Sequence, residues 1–313
     1  MKRLGLSFFC AFLTYASVAQ TFMRPNEWKK YKREVFVTIG TANFLGDLGG
    51  GDREGSNFGP SDLNWNQSRT AFGFGGRYKL SRFINVAGKF SYLFVSGNDA
   101  STEDIYRQNR NLNFRSAILE LSGRLEIGYQ STRRGGNRYG IRKNYGRGKN
   151  YTHNIFAFAG LGGFYFNPKG VDATGKIHKL RPLHTEGQGL PGGPKQYSNF
   201  NVSIPMGFYY KLTINKVWSV GLEFSHRATF SDYIDDVSTD YYDPVALENA
   251  YGPLSATMAD PSLGLIPGAT SPAADGTPAQ RGDIKRDSYM SLEISVSYIF
   301  KKQRKSARLR SKF

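Results

Sequence analysis

The segment 290–300, Met-Ser-Leu-Glu-Ile-Ser-Val-Ser-Tyr-Ile-Phe, alternates apolar and polar residues from Met290 to Tyr298. Successive side chains of a β-strand point to opposite faces, so this period of two predicts a strand with two different faces. The apolar face carries Met290, Leu292, Ile294, Val296, Tyr298 and Phe300, and the polar face carries Ser291, Glu293, Ser295 and Ser297. Helical periodicity is nearly absent from the rest of the chain, which indicates an all-β fold.

The same alternation recurs in seven earlier segments, clearly in some and blurred by glycine in others. The eight segments are 34–45, 70–80, 83–96, 119–129, 154–166, 200–211, 218–230 and 290–300. An even number of strands of about ten residues is typical of the smallest outer-membrane proteins. The sequence therefore predicts an eight-stranded antiparallel transmembrane β-barrel of the outer-membrane type, with long outer loops.

The polar faces of these strands distinguish a membrane barrel from a soluble β-sandwich. A sandwich has an apolar core, whereas a membrane barrel turns apolar residues toward lipid and polar residues into its lumen. The polar faces carry four positive and four negative side chains: Arg77, Lys89, Glu120, Arg124, Glu126, Glu223, Arg227 and Glu293. Side chains fill the interior of eight strands, and buried charges must be paired. We therefore expect an ionic plug in the lumen rather than a conducting pore.

The N-terminus has the pattern of a secretory signal peptide. Lys2 and Arg3 precede an apolar run at 4–15, and a small-x-small cleavage site follows at 17–19. The apolar run is shorter than the roughly 20 residues of a spanning helix, although a short anchor helix is an alternative. We expect a cleaved signal peptide at 1–19, a basic periplasmic lead at 20–33, the barrel at 34–300 and a basic periplasmic tail at 301–313.

The positive charge of the chain is concentrated on one predicted side. The formal net charge is +17, which in a soluble protein would first suggest nucleic acid. With eight strands, both termini and the second turn at 131–152 lie in the periplasm, where nucleic acid is not expected. The turn and the tail supply a basic periplasmic face made of Arg133, Arg134, Arg138, Arg142, Lys143, Arg147, Lys149, Lys301, Lys302, Arg304, Lys305, Arg308 and Arg310.

Clustered positive charge attracts an acidic partner and speeds its docking. The N-terminal lead adds five more basic residues against Glu27: Arg24, Lys29, Lys30, Lys32 and Arg33. Three basic segments on one side, interleaved with aromatic residues, favour a partner-binding surface over a merely solvated one. The candidates are an acidic periplasmic protein, peptidoglycan and anionic inner-leaflet headgroups.

The fourth outer loop, 231–287, has the opposite composition. It holds ten acidic residues against three basic ones, with Asp235, Asp236, Asp240 and Asp243 close together. Carboxylate clusters bind calcium in some proteins, but the EF-hand spacing is absent, so we expect a solvated loop and leave calcium open. The later part, 253–280, is rich in Pro, Ala, Gly and Ser and predicts a flexible segment.

No arrangement of residues predicts an enzyme or a cofactor site. Cys10, the only cysteine, lies in the predicted signal peptide, so the mature chain has no thiol for catalysis or metal binding. His226 is on the apolar face of the seventh strand, where a lipid-modifying enzyme could place a histidine, but its neighbours on that face, Phe224 and Ala228, include no serine. Metal-ligand spacings, phosphate loops and nucleophile elbows are absent from the sequence.

The opening strand and its exit, 37–48, read Val-Thr-Ile-Gly-Thr-Ala-Asn-Phe-Leu-Gly-Asp-Leu. This stretch resembles the PorG-like outer-membrane proteins of Bacteroidetes, in which a first strand runs into an Asn-x-Leu-Gly-Asp-Leu exit. The segments 75–78 and 157–163 and the arginine-rich stretch before the latter are also similar to that family. The resemblance covers most of the predicted barrel.

The resemblance implies a component of the type IX secretion system, which exports proteins and supports gliding. Its partners would be outer-membrane lipid and a periplasmic ring lipoprotein with that lipoprotein's own partner, and it brings no catalytic residues. Two alternatives stay open: a generic small OmpA-like or OmpW-like barrel with a structural or hydrophobic-solute role, and a lipid-modifying enzyme that uses His226.

Overall fold

The computed structural model describes residues 27–48, 67–102, 104–133, 151–214, 217–270 and 279–301. The predicted signal peptide, residues 134–150 of the second turn and the tail beyond Lys301 lie outside these described residues. Ten strands, three α-helices and three short 3-10 helices follow one another along the described chain. The strands are β1 Arg33–Leu45, β2 Arg69–Lys79, β3 Ile84–Asn98, β4 Asn113–Arg133, β5 Tyr151–Tyr165, β6 Pro168–Val171, β7 Ile177–Lys179, β8 Phe200–Ile214, β9 Trp218–Thr229 and β10 Ser288–Phe300.

Eight of the strands form a closed antiparallel barrel. Each long strand pairs with its neighbour along the chain, and β1 pairs with β10 from Arg33 opposite Phe300 to Leu45 opposite Ser288. Strands β5 and β8 are adjacent in the barrel, because the short hairpin β6–β7 belongs to the loop between them. The prediction of an eight-stranded antiparallel barrel is confirmed.

The two faces of the wall have opposite chemistry. Large apolar side chains point outward, and Leu121 and Leu161 are each 67% exposed. Charged side chains point inward, where Lys89 is 1% exposed and Glu126 is 0% exposed. This inverts the usual distribution of a soluble protein and is the arrangement of a transmembrane barrel.

The interior is divided along the barrel axis. Toward the short turns it is filled by charged side chains, and toward the long loops it is filled by an apolar cluster. Gly73 makes room at the boundary, since a β-carbon there would lie 2.5 Å from Thr38 Oγ1 and 2.7 Å from Lys89 Cε. The apolar cluster includes Phe44, Leu93, Phe114, Ile118, Phe164 and Tyr289 from the wall and Leu48, Leu180, Tyr197, Ile234 and Val237 from the loops.

The long loops fold into a cap over that end of the barrel. The cap contains the helices α1 Ile105–Arg110, α2 Pro244–Tyr251 and α3 Pro253–Ala259. No helix within the described ranges is long and apolar enough to cross a membrane. Helix α3 corrects the prediction that 253–280 is flexible throughout, because a proline at the first helical position is favourable there and Met258 and Ala259 are buried.

Candidate functional site

The charged side chains in the turn half of the lumen form one continuous ion-pair chain. It begins at Lys211, whose Nζ lies 2.6 Å from Glu34 Oε2. Alternating positive and negative groups then follow, each within ion-pair distance of the next. The order is Lys211, Glu34, Arg77, Glu126, Arg124, Glu223, Lys89, Glu293, Arg227 and Glu120.

All eight residues of the predicted ionic plug lie in this chain. Glu223 is its central member, because both of its carboxylate oxygens accept from Arg124 at 2.7 and 2.8 Å, and Oε1 also accepts from Lys89 at 3.0 Å. The two members at one end, Glu34 and Lys211, are not among the predicted residues of the plug. The alternation of Glu34, Phe36 and Thr38 against Val35, Val37 and Ile39 is the signal that places Glu34 in the lumen.

Aromatic rings hold the guanidinium groups in place within the lumen. Arg77 lies between two of them, with its Cζ 4.5 Å from the ring centre of Tyr209 and 4.8 Å from that of Phe36. The Cζ of Arg124 lies 4.3 Å from the ring centre of Phe158. Attraction between a cation and the face of an aromatic ring strengthens in a desolvated site, so these rings fix the guanidinium positions.

The ion-pair chain connects the wall across the lumen. Its members come from seven of the eight long strands, with β5 contributing Phe156 and Phe158 instead of a charge. Removing one partner of a buried pair costs about 3–5 kcal/mol, because the other charge is left unpaired. The ion-pair chain therefore stabilises the closed barrel, which is a structural role.

The turn end of the barrel exposes cations within the described part of the chain. Lys29, Lys30, Arg33 and Lys301 are exposed there. Lys32 is packed more closely, with its Nζ 5.3 Å from the ring centre of Trp28 and 5.5 Å from that of Tyr78. Of the predicted basic periplasmic face, Lys301 and the backbone of Arg133 are described, at the same end. The other eleven residues lie outside the described residues.

The acidic fourth loop is not uniformly solvated, contrary to the prediction. Asp235, Asp236 and Asp287 are at most 1% exposed. The Asp235 carboxylate accepts the backbone N–H groups of Leu48 at 3.0 Å and Val237 at 3.2 Å. These contacts bind the fourth loop to the exit of β1. The buried aspartates therefore hold loop segments together by accepting backbone N–H groups.

Two further buried carboxylates of the cap also accept hydrogen bonds from the loops. Asp236 accepts from the Tyr197 hydroxyl at 2.5 Å and from Thr185 Oγ1 at 2.6 Å, which joins the fourth loop to the third. Asp287 accepts the Ile234 N–H at 2.8 Å through Oδ2. No set of three or more His, Cys, Asp or Glu residues suited to a metal ion occurs among the described residues.

The histidines that could have indicated an enzyme have local structural contacts. His178 Nε2 lies 2.8 Å from Asp172 Oδ2 in the β6–β7 hairpin, and His184 stacks on Tyr251 with ring centres 4.2 Å apart. His226 lies on the outward face of β9, between Met206 of β8 and Met290 of β10. No serine or carboxylate of the described chain contacts its ring within hydrogen-bonding distance.

The sequence matches no protein-family model and no curated protein. Several solved structures are similar to this chain, and two of them illustrate the likeness, each over 86% of this chain. The attachment invasion locus protein Ail of Yersinia pestis, in complex with the heparin analogue sucrose octasulfate, is 10% identical with a TM-score of 0.34 over 99% of that chain. Neisserial surface protein A is 8% identical with a TM-score of 0.32 over 97% of that chain. The fold assignment rests on the strand pairing described above.

Proposed function

We propose that this protein is an outer-membrane barrel that anchors a periplasmic assembly through its basic turn end. The observation that carries the membrane assignment is the inverted wall, with a belt of exposed apolar side chains around an interior of paired charges. A protein with such a belt would aggregate in water, since soluble monomers rarely expose contiguous apolar patches above a few hundred Å². Lipid acyl chains cover the belt without that cost.

The distribution of charge supports the anchoring role. The turn end exposes Lys29, Lys30, Arg33 and Lys301, and the sequence adds basic residues in the second turn and the tail. The acids of the wall at that end are inside the barrel, where cations already pair with them, so they do not neutralise the surface. A one-sided positive surface on a fixed barrel attracts an acidic partner.

The resemblance to the PorG-like proteins supplies the finer identity of that partner. The proposed assembly is the periplasmic ring lipoprotein of the type IX secretion system together with its partner. The barrel would be the non-enzymatic membrane anchor, and the basic turn and tail would hold the ring to the outer membrane. The generic small barrel is the competing function, and it predicts no stoichiometric periplasmic partner.

Co-purification from native outer membranes tests the proposal. A tag placed beside Lys195, an exposed outer-loop residue, leaves the turn end unchanged during extraction in mild detergent. We expect stoichiometric periplasmic ring proteins, released at high salt because screening weakens exposed charge pairs. Recovery of the barrel alone, even after gentle cross-linking, would refute the anchoring role.

A truncation after Phe300 separates anchoring from barrel assembly. The strand β10 ends at Phe300, so the truncation removes basic residues without removing wall. We expect the truncated barrel to assemble in the membrane and to retain less partner. A matched deletion of the exposed β6–β7 hairpin tip, 173–175, should leave the partner bound.

A further inference from the structure

Three cations form a row across adjacent strands at the loop end of the barrel. Arg115 of β4 lies opposite Lys169 of β6, and Lys169 lies opposite Lys179 of β7. Residues directly opposite in an antiparallel pair share one face, and all three side chains are exposed. Arg69 extends the row on the other side, because its Nε donates at 2.9 Å to Ser96 Oγ, and Ser96 lies opposite Arg115.

No described carboxylate lies within ion-pair distance of this row, and the two that line the adjacent cleft are Asp172 and Asp260. Like charges directly opposite one another destabilise a sheet, and none of the three cations forms an ion pair with a described side chain. The nearest carboxylate of the hairpin, Asp172, already accepts from Thr174 and His178. The β6–β7 hairpin therefore holds cations together at a cost that a bound anion would remove.

Two concavities lie beside this row. A cleft of about 1020 Å³ is lined by Arg69, Ser96, Arg115, the hairpin turn and the end of α3. Nearer the middle of the wall, a groove of about 640 Å³ is lined almost entirely by apolar groups. The lining of the groove includes Phe90, Leu119, Leu121, Tyr165, Phe200 and Val202.

Gly163 forms the floor of the apolar groove. A β-carbon on Gly163 would meet no atom within 4 Å, so the space above the residue is open. Leu119 and Leu121 belong to the same strand and the same face as Arg115. At about 3.3 Å per residue, the groove begins roughly 13 Å along β4 from the cation row.

We infer that the cation row and the groove together bind one phosphate-bearing lipid of the outer leaflet. The row takes the headgroup phosphate, and the groove takes an acyl chain of the same molecule. Charge complementarity selects an anionic headgroup, and the position of the row beyond Tyr92, Phe94 and Tyr165 matches the aromatic belt at the level of lipid headgroups. This inference rests on the proposed placement of the barrel in the outer membrane.

The contribution of the cation row is tested by measuring how tightly the protein retains lipid. The full-length mature protein, folded in mild detergent, is titrated with dimyristoyl phosphatidic acid or dimyristoyl phosphatidylcholine, and bound lipid is counted by native mass spectrometry. We expect one tightly held phosphatidic acid. The triple variant Arg115→Gln, Lys169→Gln, Lys179→Gln should weaken its binding roughly hundredfold, at about tenfold or less per surface cation.

The contribution of the apolar groove is tested with a matched pair of glycine variants. Gly163→Leu fills the groove and should weaken phosphatidic acid binding about tenfold, since it displaces roughly two methylene groups of the chain. Gly123→Leu adds the same side chain on the adjacent strand, where a β-carbon also meets nothing within 4 Å and which does not line the groove. The Gly123→Leu and Lys195→Gln variants should bind lipid like the parent protein.

Four results would overturn the inference. Equal retention of the two lipids would exclude phosphate recognition, and unchanged binding in the triple variant would exclude the cation row. Displacement of the lipid by millimolar inorganic phosphate, with no effect of Gly163→Leu, would indicate a free-phosphate surface instead. Failure of the barrel to insert into bilayers would refute the proposed function, whereas an inserted barrel that retains no phosphatidic acid would refute only this lipid site.

Discussion

The barrel lumen and the loop cap both bury carboxyl groups, but they satisfy them differently. In the lumen each glutamate of the ion-pair chain lies against at least one cation, and Glu223 contacts two, Lys89 and Arg124. In the cap, Asp235 and Asp287 accept backbone N–H groups and have no cation at ion-pair distance among the described residues. The lumen therefore holds carboxylates that are paired with cations, and the cap holds carboxyls whose pKa is raised by burial.

This difference separates two kinds of stability. Removing any one member of the paired charges in the lumen is costly, because its partner is left unpaired. Unpaired carboxyls in the cap respond strongly to pH, because burial penalises their charged form. We therefore expect the barrel and its cap to fail under different conditions, and the following variants test that separation.

The largest effect is expected for Glu223→Gln in the lumen. The change leaves Lys89 and Arg124 short of one carboxylate, and breaking a buried pair in this way costs about 3–5 kcal/mol. Guanidinium unfolding of the barrel in micelles, followed by circular dichroism, measures the loss. The double variant Lys89→Gln, Glu223→Gln should lose less than the sum of the two single changes, and strict additivity would argue against the continuous ion-pair chain.

Arg281→Met should loosen the cap and leave the barrel intact. Arg281 Nη1 lies 3.0 Å from Glu186 Oε1 and 2.7 Å from the Asp236 carbonyl oxygen, so it joins the third and fourth loops. We expect a loss of about 2–3 kcal/mol in cap stability, seen as faster protease cleavage of the loops. Equal weakening of the barrel in the unfolding assay would contradict the separation of the two regions.

Rising pH should open the cap. Burial raises the pKa of Asp47 to about 7, and burial together with repulsion from Asp235 raises the pKa of Asp287 well above its ordinary value. The folded cap then binds protons that the opened cap releases. Its stability is highest near pH 4 and falls as pH rises toward about 7, by about 3 kcal/mol between pH 5 and pH 8 for a group shifted as far as Asp47.

Hydrogen exchange of the loop amides across this pH range, corrected for the intrinsic exchange rate, measures the opening. Asp287→Asn should reduce the pH dependence of cap opening, because it removes a titrating carboxyl. The contacts should be kept, since its amide oxygen can still accept from Ile234 N–H and its NH₂ group takes the place of the unpaired Oδ1. Asp243→Asn is the matched control on an exposed helix cap and should keep the parent slope. An unchanged slope in Asp287→Asn would show that other groups carry the dependence.

The smallest effect on stability is expected for Lys29→Gln, Lys30→Gln and Lys301→Gln combined. These side chains are exposed and outside both buried regions, so the barrel should change by no more than about 0.5 kcal/mol per substitution. Retention of the periplasmic partner should fall nonetheless. Lys195→Gln on the outer side is the control. Equal loss of the partner in both variants would show that binding does not depend on the turn end.

Much of the wall could be predicted from the sequence because a strand has a simple period. Segment 290–300 and strand β10, Ser288–Phe300, differ by two residues at one end. The same rule identified eight charges of the lumen. It did not identify Glu34 and Lys211, which are the first residue of the predicted segment 34–45 and the last of 200–211, although both lie on polar faces.

The contacts of the cap could not be predicted in the same way, since they follow no repeating spacing along the sequence. The bond from Leu48 N–H to Asp235 joins residues 187 positions apart, and no local pattern distinguishes that aspartate from the exposed Asp240. The cation row was missed for a similar reason. Lys169 and Lys179 join Arg115 only through the β6–β7 hairpin, which is too short to show an alternating pattern.

Sidedness in intact cells tests the account most directly. Cys10 is the only cysteine, so single cysteines can be introduced at Lys195 and Lys301, which lie at the loop end and the turn end. With a membrane-impermeant maleimide, we expect Lys195→Cys to be labelled in intact cells and Lys301→Cys to be labelled only after the outer membrane is permeabilised. Labelling of Lys301→Cys in intact cells, with Lys195→Cys protected, would contradict a basic surface that faces the periplasm.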